Sequence, residues 1–242
     1  QCLFRILESK RCPQLRCLNL SGMNLKNPCS MALASVIRAD TFKYLEELIL
    51  SDCSLNVDCV EHISRAIVDT PLQMLKVLCL SHNRFGQQCI QILAHILQRS
   101  CLPSLTHLDL SYNKINDASI QELNNRYADD VLSQVEVMNL SDNCIGNEGA
   151  FVIFDNIRHR QWCSMRDLNL ERNKFTAVTS VQLRSLLEME NQLDTIRLTD
   201  MTKRRANVPL YRQEAFMRSK QETKKPETKE TKEAMEGQEE VD

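Results

Sequence analysis

The chain has 242 residues, with 30 Lys plus Arg against 32 Asp plus Glu, a formal net charge of -2 and a pI near 6.3. That balance argues against a protein that coats nucleic acid by neutralising phosphates, and no run of about twenty apolar residues is present to span a membrane as a helix. The 11 cysteines form no CxxC pair and have no histidine at zinc-ligand spacing, so no metal site is expected.

Taken in chain order, QCLFRILESKRCPQL at 1–15 aligns with QILAHILQRSCLPSL at 91–105. This predicts an opening helix with Leu3, Ile6 and Leu7 at core positions, in a repeat that lacks its strand. A repeat entered part-way, with no initiator Met, reads as a fragment of a longer array, because a bare repeat end leaves apolar surface uncovered. One phrase then returns six times: LRCLNLSGMNL from Leu15, LEELILSDCSL from Leu45, LKVLCLSHNRF from Leu75, LTHLDLSYNKI from Leu105, VEVMNLSDNCI from Val135 and MRDLNLERNKF from Met165. A weaker seventh copy, LDTIRLTDM, begins at Leu193. A period of thirty residues is the signature of a repeat architecture.

Within each copy positions 1, 4, 6 and 11 are apolar. Positions 4 and 6 alternate as on one face of a strand, giving the pairs Leu18/Leu20 through Leu168/Leu170. Asn83, Asn113, Asn143 and Asn173 end the strand, where an amide can bond backbone left unpaired at the bend; Cys53, Met23 and Met201 stand there in other copies. A turn follows at Asn56, Gly86, Asn116 and Gly146, types that tolerate a left-handed backbone, with Asp58, Asp117 and Asn147 as nearby helix caps. Then the period changes. Leu33, Ile63, Leu93, Leu123, Ile153 and Leu183 form one column, and Ile37, Ile67, Leu97, Tyr127, Ile157 and Leu187 another four residues on; that spacing is one face of a helix. Phe42, Leu72, Leu102, Leu132 and Trp162 fill the return loop, which makes the only tryptophan a core plug.

A strand and a helix per unit, stacked, give a parallel sheet on one side and helices on the other. Helices pack about 8–10 Å apart and strands about 4.8 Å apart, so the stack curves with the sheet inside. The unit LxxLxLxxNxL plus a helix resembles the leucine-rich repeat, and its length resembles the ribonuclease-inhibitor-like subclass. The resemblance implies an α/β solenoid, a horseshoe whose concave parallel sheet binds other proteins and whose convex side carries the helices. The chain divides into a repeat region over 1–200 (a partial repeat 1–14, six full repeats 15–192, a degenerate strand 193–201) and a charged, largely disordered tail over 202–242. The tail has too few apolar residues to order itself, apart from Val208, Leu210, Tyr211 and Phe216, which are placed to cap the last strand. Lys203, Arg204 and Arg205 read as solubility residues.

Most chemically suggestive residues have structural duties. Cys29, Cys59 and Cys89 share one small-residue column with Ser119, Gly149 and Thr179. Unpaired thiols in such number indicate a reducing, intracellular compartment, cytoplasmic or nuclear. The serines at 21, 51, 81, 111 and 141 repeat too regularly to be a nucleophile, since a mechanism needs one activated serine. The glycosylation matches at Asn19 and Asn139 lie inside predicted strands. His82, His107, Asp109 and Tyr112 approach a His/Asp constellation but lack an organised nucleophile and any Gly-rich loop, so neither catalytic residue nor cofactor is expected. What remains is the concave face. Position 3 carries Glu47, Val77, His107, Val137 and Asp167, position 5 carries Ile49, Cys79, Asp109 and Asn139, and position 8 carries His82, Tyr112 and Arg172. These twelve residues are the predicted site: an exposed apolar and aromatic centre with a charged rim, suited to a protein partner. The primary expectation is a non-catalytic scaffold. Two alternatives stand beside it: the sensing repeat region of a larger protein, and a small-GTPase regulator resembling the Ran GTPase-activating proteins, with Asn113 and Asn143 orienting the partner's water or glutamine.

Overall fold

The computed structural model describes residues 2–9, 12–98, 100–124, 132–190 and 195–198. Helices and strands alternate along them: α1 (Cys2–Glu8), β1 (Cys17–Asn19), α2 (Asn27–Arg38), β2 (Glu47–Ile49), α3 (Val57–Asp69), β3 (Val77–Cys79), α4 (Gln87–Ile96), β4 (His107–Asp109), α5 (Asp117–Leu123), β5 (Val137–Asn139), α6 (Asn147–Arg158), β6 (Asp167–Asn169), α7 (Ala177–Glu190) and β7 (Thr195–Arg197). The seven strands form one parallel sheet in chain order. Register is strict: Cys17, Glu47, Val77, His107, Val137 and Asp167 stand side by side. The last step is shorter, pairing Asp167 with Thr195.

The core lies between sheet and helices. Positions 4 and 6 of the strands, both helical columns and the loop column Phe42, Leu72, Leu102, Leu132 and Trp162 are buried wherever their side chains are described. Tyr127 and the tail lie outside the described residues. An apolar cavity of about 20 Å³ remains between Leu48, Leu50, Leu78 and Leu80 on the strands and Ile63, Ile67, Leu93 and Ile96 on the helices. Gln1–Arg205 forms one compact unit.

The asparagines at position 9 build a continuous ladder. Asn113 Oδ1 accepts from the N–H groups of Asn83 (2.9 Å) and Phe85 (3.3 Å), while its Nδ2 donates to Leu80 O (2.9 Å). Asn83 and Asn143 repeat the pattern one unit either way. The amide joins two neighbouring turns because its oxygen faces the preceding unit's N–H groups and its nitrogen faces carbonyls the strand has left unpaired. Cys53 keeps one of these links, its thiol donating to Leu20 O at 3.0 Å.

Three local expectations are corrected. Beside the ladder the left-handed residues are at positions 8 and 10, not at the predicted turn: Asp52, Ser54, His82, Arg84, Tyr112, Lys114, Asp142 and Arg172 have φ of 53–60°; Asp40, Leu132 and Arg160, in the loops after the helices, are left-handed as well. Position 9 is thus held between two such residues at Cys53, Asn83 and Asn113, which turns the chain sharply out of the strand; beside Asn143 and Asn173 only position 8 is left-handed. Asn56, Gly86, Asn116 and Gly146 are extended helix N-caps instead; Asn56 accepts from Cys59 N and Asn116 from Ser119 N, each at 3.0 Å. Asp117 and Asn147 serve the next unit, accepting from Gly146 N and from Thr176 N respectively. In α1, Phe4 and Leu7 are core, but Leu3 (37 %) and Ile6 (46 %) are exposed. In α2 the equivalent Leu33 and Val36 are fully buried, since α2 packs against both α1 and α3, whereas the helix packed against α1 among the described residues is α2.

Candidate functional site: the open face of the sheet

Positions 3 and 5 of each strand point away from the helices, and the loop residue at position 8 lies beside them. The expectation of an exposed apolar centre is corrected here. Ile49, Val77, Cys79, Asp109 and Asn139 are all under 8 % exposed. In-register neighbours about 4.8 Å away on both sides cover the flanks of each side chain, and the residues leaving the strand cover the rest. Position 5 is largely a turn device. Asn19, Asp109, Asn139 and Asn169 each accept, through Oδ1, from the N–H two residues on: Ser21 (2.9 Å), Ser111 (2.9 Å), Ser141 (3.1 Å) and Glu171 (3.0 Å). The sequence carried that signal as an Asx residue two before a polar residue at the strand end.

Cys79 is sealed into a buried polar cluster. Its Sγ is 3.1 Å from Ser51 Oγ and 3.4 Å from Asp109 Oδ2, and Ser81 Oγ donates to Ser51 Oγ at 2.9 Å. Burial, with the Asp109 charge adding to it, pushes the Cys79 thiol up to about 12; burial likewise pushes Cys53 up to about 11. Thiols so disfavoured as thiolates are poor nucleophiles. Within the predicted His/Asp grouping His82 stacks on Tyr112, while Asp109 turns inward to the Ser111 N–H and the Cys79 thiol.

What reaches solvent is position 3 (Glu47, His107, Val137 and Asp167, all half-buried) and the position-8 rim (His82 exposed, Tyr112 and Arg172 half-buried). The rim is continuous across β3 to β6. His82 and Tyr112 stack with centroids 4.0 Å apart and planes 14° apart. The Tyr112 hydroxyl bonds to Asp142, and Asp142 is ion-paired to Arg172 at 2.7 Å. Burial raises the Asp142 carboxyl above the usual carboxylate range despite the nearby Arg172 guanidinium, and raises the Tyr112 phenol as well. Below this rim Arg197 Nη2 lies 2.9 Å from both oxygens of Asp167.

The first strands differ. Glu46 lies between Arg16 and Lys76, whose hydrogen bonds hold its carboxyl below the usual range, Lys76 most strongly. At position 8 stand Gly22, with φ of 74°, and the exposed Asp52. Among the described residues Asp52 forms no ion pair. Asn113 and Asn143 are buried and their amides are occupied by the ladder. Among the described residues no group of three or more His, Cys, Asp or Glu is placed to hold a metal ion, and no helix is long and apolar enough to cross a membrane.

A family model described as "Leucine Rich repeat" matches residues 101–123 and 135–154, which are the units of β4–α5 and β5–α6. A crystal structure of a Bacteroides fragilis protein aligns at 12% identity over 84% of this chain and 70% of its own, with a TM-score of 0.42. No curated protein matches the sequence. The repeated phrase in strict register, the seven parallel strands in chain order and the matched units show that the described residues fold as an α/β leucine-rich-repeat solenoid.

Proposed function

We propose that this chain is a non-catalytic interaction module of the ribonuclease-inhibitor-like kind, which binds a protein partner on the open face of its sheet. The observation carrying this reading is the rim, where His82, Tyr112 and Arg172 are held at fixed spacing on left-handed backbone with His107 and Val137 accessible beside them. An ordered aromatic and charged strip on rigid strands binds at low entropic cost, because its rotamers are set before the partner arrives. Buried Ile49, Val77, Cys79, Asp109 and Asn139 then serve as support beneath that strip. Glu47, Asp167 and Arg172 supply its polar edge.

A reducing compartment fits the thiols. Cys53, Cys59, Cys79 and Cys89 are buried and unpaired, each filling a repeat position. The test is affinity capture with matched variants. His107→Glu with Val137→Lys changes the open face while leaving a complementary pair across β4 and β5, whose register sets these residues opposite each other. Val178→Lys with Val181→Glu alters exposed helix residues on α7. Loss of specific partners by the first variant alone supports the reading; retention of every partner by a folded first variant removes the open face as the binding surface.

A further inference from the structure

The loop residue at position 10 stands just beyond the rim. Its column reads Asn24, Ser54, Arg84, Lys114, Cys144 and Lys174, so its charges are all of one sign. Arg84, Lys114 and Lys174 are exposed, and none of them forms an ion pair among the described residues. Cations of the sheet side differ: Arg16 and Lys76 are paired with Glu46, Arg172 with Asp142 and Arg197 with Asp167.

Arg84 and Lys114 are also fixed in place. Both have left-handed backbone, with φ of 58° and 56°. Each stands between two buried residues, Asn83 and Phe85 for Arg84, Asn113 and Ile115 for Lys114. Asn113 Oδ1 accepts from the N–H groups on both sides of Arg84, and Asn143 Oδ1 from those on both sides of Lys114. The ladder thus ties the turn carrying Arg84 to the turn carrying Lys114 and leaves both cations in water. Their backbone is ordered by folding, so capture of an anion orders only the two side chains. Acidic residues of the neighbouring loops are engaged elsewhere, Asp117 with the Gly146 N–H and Asp142 with Arg172.

The row suits separate carboxylates. A guanidinium takes one of them through two N–H groups, and the ammonium takes another as a point charge. A nucleic-acid backbone matches less well, because its phosphates follow without a break. The row is interrupted at Cys144, and position 8 beside it carries Asp52 and Asp142. A peptide can place uncharged residues opposite those acids.

We infer that Arg84 and Lys114 receive an Asp- or Glu-rich segment of the protein partner, which crosses the sheet edge beside the His82–Tyr112 stack. That the carboxylates belong to a protein rests on the open face being the binding surface. The inference adds the chemistry of the segment that leaves that face: acidic, and directed over the middle of the edge.

The test is an NMR titration of the full chain with acetylated hexaglutamate amide. It reads the Arg84 Nε–Hε resonance and the backbone amides of positions 84 and 114. Hexaglutamine and an oligo(dT) of equal formal charge are run beside it. Hexaglutamate is expected to give saturable shifts at both positions, and Arg84→Gln with Lys114→Gln to weaken binding about tenfold. Lys43→Gln with Arg160→Gln removes the same charge from exposed residues in the loops after α2 and α6, and is expected to leave binding unchanged. Shifts that do not saturate, equal weakening by both variant pairs, shifts reproduced by hexaglutamine, or tighter binding of oligo(dT) at the same residues overturns the inference. The capture experiment separates the two readings. If hexaglutamate fails while His107→Glu with Val137→Lys still loses partners, only the acidic segment falls. If that variant keeps every partner while hexaglutamate still binds at Arg84 and Lys114, the open-face reading falls and the carboxylate preference of the row stands.

Discussion

The two halves of the sheet rim share a backbone and differ in what they leave open. From β4 to β6 the chain satisfies its own rim: the Tyr112 hydroxyl bonds to Asp142, and the charges pair as Asp142 with Arg172 and Asp167 with Arg197 on β7. From β1 to β3 the pairing sits one row lower, at Arg16, Glu46 and Lys76, and the rim residue Asp52 stays open. The contrast shows how the pairing on the rim changes from unit to unit without altering the fold. The left-handed turn at position 8 accepts Gly, Asp, His, Tyr or Arg alike, so the side chain there is free to answer to a neighbour or to a partner.

The largest way to break that comparison is to remove what both halves share. Asn113→Ala leaves the N–H groups of Asn83 and Phe85 without their side-chain partner and removes one of the two amide donors to the Leu80 carbonyl, Asn83 Nδ2 being the other. With buried unsatisfied groups costing about 1–3 kcal/mol each, a loss of about 3 kcal/mol or more is expected in urea unfolding. Cooperative unfolding at unchanged stability would show that the ladder is not a stabilising spine.

Two glycines sharpen the contrast. A Cβ at Gly149 would lie 2.5 Å from Asp117 Oδ1, 2.9 Å from Ile145 Cγ2 and 3.1 Å from Asp117 Cα. Asp117 is held by its bond to Gly146 N, so Gly149→Ala is expected to destabilise by about 1–3 kcal/mol. Gly86 has open space around it and negative φ, and Gly86→Ala is expected to change stability by at most about 1 kcal/mol. Equal effects in thermal melts would contradict this packing difference.

Arg172→Ala should cost about 1 kcal/mol, because it leaves a carboxylate with a side chain only 13% exposed without its cation, discounted for the partly exposed guanidinium. Asp52→Asn, which removes no ion pair recorded among the described residues, is expected to leave the melting temperature unchanged. Parallel melts of the two variants compare the closed and open halves directly.

The smallest effects are in pH dependence, and their signs oppose. The folded pKa of Glu46 is lowered by Lys76 and Arg16. Its contribution is therefore present above the ordinary glutamate value and is lost as pH falls through the lowered one. Asp142 is raised, chiefly by burial. Its contribution is full below the ordinary aspartate value and is lost as pH rises through the raised one. Carboxyl carbon NMR titration should place Glu46 below and Asp142 above their free values, and Glu46→Gln and Asp142→Asn should change the acid limb of the stability profile in opposite directions.

Legibility in the sequence followed period. Apolar columns thirty residues apart located the strands, the helical columns and Trp162, because burial repeats wherever the unit repeats. The ladder asparagines were legible for the same reason. The left-handed positions were not: they carry His82, Arg84, Tyr112 and Lys114, residues with no glycine-like signature, imposed by the turn around a buried asparagine. Among the site residues, His107, Val137 and the rim were placed on the accessible face, whereas Ile49, Val77 and Cys79 were expected to be open and are closed.

The sequence by itself determined the unit, its register and which face each residue joins, since all three are properties of one repeat and its period. Only the tertiary structure decided exposure on the open face, the His82–Tyr112 stack and the difference between Asp142 and Asp52. Those depend on what stands one strand away in space, thirty residues away in the chain, and on whether that neighbour carries a ring, a guanidinium or no side chain at all.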